Sequence, residues 1–394
     1  MKKFGRLASG LLLAAALTGC SAGSDHTTPS GSSGDYSHWN QFSTQLFAQV
    51  SDQPNVLVSP TSAYFALAML SDGAAGDTEK AFNTVLGQSG PELNQNAQSL
   101  LKSLQEAEGS TTLSIADGLW INEQFTVEPS YINQVKKYYD AQVEVLDLSK
   151  AKDPINRWVS KQTQGLIPEL LETNPAPSDV MVLVNTLYFK GKWQQAFEAE
   201  ATTEGPFTQA DGSTATIPFL KSRDYSCRYF KTEGLEGAIL PYDDGKTAFV
   251  ALRPEDGGAI RDALADFSAD TLARMIEQAQ DKTLVLSLPK FETEATLPLD
   301  QPLDNLGLSI AFSSKADFSK IGKDLLISEV LQKTKIIVDE AGTEAAAATE
   351  ITMKVTSLPP EPEIILDFNT PFAYFIVDTQ SGLPLFMGIY DSPS

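Results

Sequence analysis

Phe42, Leu46, Phe47 and Val50 recur at i, i+4, i+5 and i+8, which predicts an amphipathic helix where the folded chain begins. The stretch 62–70, SAYFALAML, is apolar almost all round and predicts a helix buried on every side. Residues 93–107 read as a helix with a polar face, and 155–171 as another with Trp158, Val159 and Leu166 turned inward. The pattern changes at 180–189, a nearly unbroken run rich in Val and Leu, the mark of a strand covered on both faces. Segments 238–240 and 247–252 flank Asp243-Asp244-Gly245 and predict a hairpin. Further strands are expected at 284–288, 336–338, 372–377 and 385–390. Helices dominate the first half and strands the second, without βα alternation. This predicts an α+β fold around large sheets rather than a doubly wound fold or a TIM barrel.

One segment, about 340–362, fits neither pattern. It lies between two predicted strands, and a connection of that length inside a folded domain is usually functional. From Thr343 to Thr356 every charged residue, Glu344, Glu350 and Lys354, occupies an even position. The odd positions, Thr343, Ala345, Ala347, Thr349, Ile351, Met353 and Val355, are uncharged. A period of two gives one face suited to burial and one to solvent. At about 3.3 Å per residue such a strand would extend roughly 45 Å, long for a permanent strand. Gly342 supplies the backbone freedom of a hinge. Alanine also favours helix, so the residues alone leave a short surface helix open beside a strand in waiting.

At the N-terminus, Lys2, Lys3 and Arg6 precede a short apolar run, 7–17, too brief to span a bilayer. Leu17-Thr18-Gly19-Cys20 then resembles a bacterial lipobox, with Cys20 the lipidated residue. Residues 1–19 are therefore expected to be a lipoprotein signal peptide, and 20–37 a Ser/Gly/Thr-rich tether. The folded domain is expected over 38–394, exported and held at a membrane surface by lipid alone.

Composition narrows the chemistry. Acids outnumber bases 51 to 29, a net charge of −22, so neither a nucleic-acid partner nor a heparin-like cofactor is expected. The two histidines, His26 and His38, precede the expected folded body, which excludes a Ser-His-Asp triad or His-ligated zinc within it. With Cys20 in the signal, Cys227 has no intrachain partner and reads as a structural thiol. Neither GxGxxG nor GxxxxGK[ST] occurs, and no cofactor or metal is expected.

From about residue 38 to the end the chain resembles the serpin family, proteinase inhibitors that trap their targets by inserting a cleaved loop into a sheet. The resemblance rests on NVLVSPTS at 55–62, GDT at 76–78, IN at 155–156 with TQG at 163–165, and LVNTLYFKGKW at 183–193. It continues through LPY at 240–242, DEAGTEAA at 339–346, FNTPF at 368–372 and LFMG at 385–388. It implies a single domain of three β-sheets and eight or nine helices with an exposed reactive loop. It further implies a hinge at Glu340, Gly342, Thr343, Ala345 and Ala347, with Trp193 at the breach where insertion begins. Ser59, Ser62 and Asn185 match the shutter beneath the central strands. The family's usual shutter histidine is matched here by Gln332, which hydrogen-bonds but does not titrate near neutrality.

The expected function is therefore non-enzymatic: irreversible, suicide-substrate inhibition of a serine proteinase through a covalent acyl complex, by a monomer. Counting fourteen positions from the hinge glycine puts the scissile bond at Thr356–Ser357, with Val355 and Lys354 as alternative positions. Small residues there suit elastase-like or subtilisin-like targets, and Lys354 leaves a trypsin-like one open. The alternative is a non-inhibitory serpin that binds or supports. A lipoprotein enzyme using carboxylates finds no supporting spacing.

Overall fold

The computed structural model describes residues 36–106, 110–343 and 364–393. Its first half supplies α1 (Ser37–Val50), β1 (Leu57–Val58), α2 (Pro60–Gly73), α3 (Gly76–Leu86) and α4 (Gly90–Gln105). Then come β2 (Thr112–Asn122), α5 (Pro129–Tyr139), β3 (Gln142–Leu146), α6 (Lys152–Gln162) and β4 (Met181–Lys192). Strands β5 (Thr203–Thr208), β6 (Thr214–Thr232), β7 (Leu235–Pro241) and β8 (Thr247–Pro254) follow, with α7 (Ile260–Ala263) and α8 (Ala269–Gln278) behind them. The last part holds β9 (Gln280–Pro289), β10 (Phe291–Pro298), α9 (Asp300–Leu303), β11 (Glu329–Val338) and β12 (Gly342–Thr343). Strands β13 (Ile365–Asp367), β14 (Phe372–Asp378) and β15 (Leu383–Tyr390) close the chain.

Helix α2 is the axle of the core. Pro60 at its first turn and the Ser59 hydroxyl, which accepts from the Ser62 amide, start it. Nearly all its side chains are buried because α1, α3, α5 and strands β2, β4 and β15 surround it. Trp39 of α1 stacks on Tyr64 at 3.7 Å between ring centroids. Each fully buried Leu, Phe or Met here contributes about 1.5–3 kcal/mol of transfer free energy.

Two hydrogen-bonded sheets pack around this helical base among the described residues. The six-stranded sheet runs β10-β11-β12-β4-β2-β3. The other has nine strands, in the order β1-β15-β14-β8-β7-β6-β9-β13, with β5 on β6. Two of the three expected sheets are joined in it, because the 19-residue β6 changes neighbours along its length. Its start pairs with β5, its end with β7, and a bulge between Ser222 and Tyr225 bends it. The expected hairpin forms between β7 and β8, with Gly245 in the left-handed region.

Two expectations change, and strands appear that none anticipated. The helix anticipated over 155–171 stops at Gln162, where Gln164 and Gly165 take φ of 51° and 86°; Leu166 lies beyond it, half-buried. His38, expected ahead of the body, sits in the first turn of α1 and packs near Gly87. Strands β2, β5, β6 and β10 lack the continuous apolar runs that mark β4. On β2 only alternate residues, Leu113, Ile115, Leu119 and Ile121, join the main core. No described helix is long and apolar enough to cross a membrane. Cys227 is buried, and burial pushes its thiol up to about 12, which makes it inert.

The C-terminal segment is stitched down by Asp391, whose carboxylate receives the Arg261 guanidinium of α7 and the Asn55 amide. Asp391→Ala should leave the Asn55 amide unpaired and Arg261 with only the Ser51 and Gln53 carbonyls, destabilising the fold by about 3 kcal/mol. A thermal melt lowered by several degrees is the expected reading.

Candidate functional site

Strand β4 lies at the centre of the six-stranded sheet and is paired differently along its two edges. Toward β2 the ladder is antiparallel and continuous, from Thr112 opposite Lys190 to Ile121 opposite Met181. Toward β11 it is parallel and stops early, running only from Glu329 opposite Val182 to Thr334 opposite Leu187. Above that point β12 is wedged between them: Thr343 pairs with Val338 on one side and Gly191 on the other, and Gly342 with Lys192. The sheet is closed below and occupied by two residues of hinge above.

Backbone and aromatic groups hold the wedge. The Asp339 carboxylate accepts the Ala341 and Gly342 amides at 2.8 and 3.1 Å, forming the turn that reverses the chain. Burial raises the Asp339 carboxyl pKa, and those two amides partly offset it. Trp193 donates its indole N–H to the Asp339 carbonyl at 2.8 Å and its amide to Ala341. Its ring stacks on Tyr242 at 4.8 Å. Glu340 accepts from Lys290 at 2.7 Å and Thr202 at 2.9 Å. Burial opposes its ionisation, but the Lys290 ammonium, its own backbone amide and the Thr202 hydroxyl together hold the carboxyl below its usual range. Gly342, at φ 156°, approaches β4 so closely that a Cβ would lie 2.1 Å from the Gly191 carbonyl. A side chain has no room there.

Thr343 is 1% exposed, and its hydroxyl shares a 2.5 Å hydrogen bond with the Tyr242 phenol. Burial keeps that phenol protonated far above neutral pH. Thr343 thus faces the core, as the odd face of the loop pattern requires of its first residue. Ala345, Ala347, Lys354, Val355, Thr356 and Ser357 lie outside the described residues, as does Cys20.

Six residues down β4 from Gly191, Ser59, Ser62, Asn185 and Gln332 meet. Gln332 accepts the Ser59 amide at 2.7 Å and donates to the Ser59 carbonyl at 2.9 Å. It also donates to the Asn185 side-chain oxygen at 2.6 Å, across the β4–β11 seam. Asn185 Nδ2 reaches the Ser62 hydroxyl at 2.6 Å, the Ser62 carbonyl at 3.0 Å and Asp117 Oδ1 at 2.7 Å. Both strands are therefore anchored through side chains to the first turn of α2. Asp117, 2% exposed on β2, was not anticipated; burial pushes its carboxyl up to about 7 against the opposing Asn185 bond. The missed signal is an acid in the alternating apolar row Leu113, Ile115, Asp117, Leu119, Ile121. Tyr242, Thr202 and Lys290 were also missed, since only the folded chain brings them to the hinge.

A family model described as Serpin (serine protease inhibitor) matches residues 37–393. The chain belongs to the serpin family. A leukocyte elastase inhibitor of Bos taurus is similar, 34% identical over 370 residues, 90% of this chain and 98% of that one. The native structure of tengpin, a thermophilic serpin, superposes with a TM-score of 0.85 at 32% identity, covering 90% of this chain and 93% of that one. Thyroxine-binding globulin in complex with thyroxine matches with a TM-score of 0.82 at 27% identity, covering 91% and 99%. Serpins are therefore proteinase inhibitors in the main, with a thyroxine-binding member among them, and this chain has the serpin fold as a single domain.

Tyr242→Phe should remove the partner of the buried Thr343 hydroxyl. Loss of about 1 kcal/mol from the hinge would speed amide exchange at Gly342 and Thr343 roughly fivefold. Hydrogen exchange read by mass spectrometry checks it.

Proposed function

We propose that this serpin is a lipid-anchored, extracytoplasmic inhibitor of serine proteinases that acts as a suicide substrate. The observation that carries the reading is β12: two hinge residues already seated, antiparallel to both neighbours, at the mouth of a seam that is otherwise closed. In the proposed reaction the proteinase serine attacks the Thr356 carbonyl. The bond to Ser357 breaks, the new amine leaves with the C-terminal fragment, and an ester joins Thr356 to the enzyme. The freed arm then continues the β12 register into the seam, carrying the enzyme with it before the ester hydrolyses.

Continuing that register sets Ala345 opposite Ile336 and Ala347 opposite Thr334, both small and inward, with Glu344 outward. Small side chains pass into a packed interior without a steric barrier. Small or β-branched residues around Thr356–Ser357 favour elastase-like or subtilisin-like enzymes, in keeping with the leukocyte elastase inhibitor among the relatives. A second reading, a binding protein without inhibitory action, draws on the likeness to thyroxine-binding globulin. An SDS-stable complex with a serine proteinase decides for inhibition; cleavage with no complex at any inhibitor-to-enzyme ratio decides for the second reading.

Thr343→Arg should turn the inhibitor into a substrate, because the first inward side chain would carry a cation into an apolar site at a penalty of several kcal/mol. Glu344→Arg, facing outward, should leave complex formation nearly intact. Equal inhibition by both variants would show the register to be wrong. Anchoring depends on Cys20, so Cys20→Ser should lose lipid labelling and move from the membrane to the soluble fraction.

A further inference from the structure

The shutter holds an acid that the proposed reaction does not use. Asp117 lies on the core face of β2, directly opposite Asn185 in the β2–β4 ladder. Its carboxylate shares the Asn185 amide with Ser62: two hydrogens serve three acceptors within 3.0 Å. The carbonyl end of the same amide takes the Gln332 bond across the seam. A chain of side chains thus runs from a buried carboxyl to the line along which the sheet must part.

Among the described residues no cation balances this carboxyl. Its hydrogen-bond partner is Asn185 of β4, which in turn bonds Ser62 of α2 and Gln332 of β11, and none of the three titrates near neutrality. The Tyr139 phenol of α5, which donates to Asn94 of α4 at 2.6 Å, feels the Asp117 charge weakly; burial first, then the Asp72 charge, holds that phenol protonated far above neutral pH. Tyr131 and Tyr64, which act on Tyr139 in turn, are likewise kept protonated by burial. Helix α4 presents Leu100, Leu101 and Leu104 to the core, while its Glu92 and Lys102 are exposed. Lys333 and Lys335 of β11 stand on the outer face, bound to Glu294 and Glu292 of β10, and Lys190 of β4 alternates to that face too.

We propose that Asp117 is a proton-controlled latch of the central sheet, its ionised form making the β4–β11 seam part more readily than its neutral form. The inference rests on the reading of that seam as the entry path of the loop. Linkage sets the sign. Burial disfavours the charged carboxyl in the closed sheet, and parting the seam admits water to the Asn185–Asp117 pair. The closed sheet therefore binds the proton more tightly than the open one. Closed-state stability is full at low pH and is lost as pH rises toward the closed-state value of about 7, above which opening no longer changes.

The test is amide exchange of the β4 segment 182–187, measured in wild type and Asp117→Asn at matched pH from 5 to 8.5. Taking the ratio cancels the intrinsic pH dependence of exchange and the contributions of other carboxyls. The wild-type to variant ratio is expected to rise between about pH 5 and 7, by up to about tenfold per pH unit, and to level off above. A ratio constant across the range overturns the proposal. Asp117→Ser serves the same comparison if the asparagine variant does not fold. Complex formation with a serine proteinase is followed alongside. Wild type that keeps the rising ratio but forms no complex sinks the inhibitor reading and leaves the latch; complex formation with a flat ratio sinks the latch alone.

Discussion

The parallel pairing of β4 with β11 is the constraint on which this fold turns. It spans only Val182–Leu187 and Glu329–Thr334, and parallel ladders are slightly weaker per residue than antiparallel ones. Side chains reinforce it, since Asn185 and Gln332 bond each other and are both anchored to the first turn of α2. A strand entering as a continuation of β12 would be antiparallel to both neighbours. One parallel interface would then give way to two antiparallel ones, which is a physical source for a downhill rearrangement within an already folded chain.

The outer face of the same sheet shows what such a rearrangement must disturb. Helix α6 covers it with a separate apolar cluster, in which Trp120 of β2 meets Trp158 edge to face at 4.9 Å over Val182, Val184 and Leu331. Two of those residues lie on β4 and one on β11. The seam therefore cannot widen without shearing this cluster, which has members on both of its walls.

Much of this was legible from residue order. The all-round apolarity of 62–70 and the unbroken run at 180–189 announce α2 and β4, because full burial leaves no polar face to confuse the pattern. Strands β2 and β6 were hidden by the opposite circumstance, polar or small residues on one face and a bulge that breaks the alternation in β6. The parity of the loop already set Thr343 on the inward side. What parity could not supply is the identity of the partners. Tyr242 lies 101 positions from Thr343, and Asp117 lies 68 from Asn185, so neither contact leaves a local trace.

The turn at Asp339–Ala341 has a consequence for molecularity. Only three residues separate β11 from β12, so the strand poised at the seam is tethered to one wall of its own slot. Its effective concentration is then a property of the covalent chain and not of the solution. Under the proposed insertion, entry along this path would be first-order and indifferent to dilution, with its register set by the turn before the rest of the strand arrived.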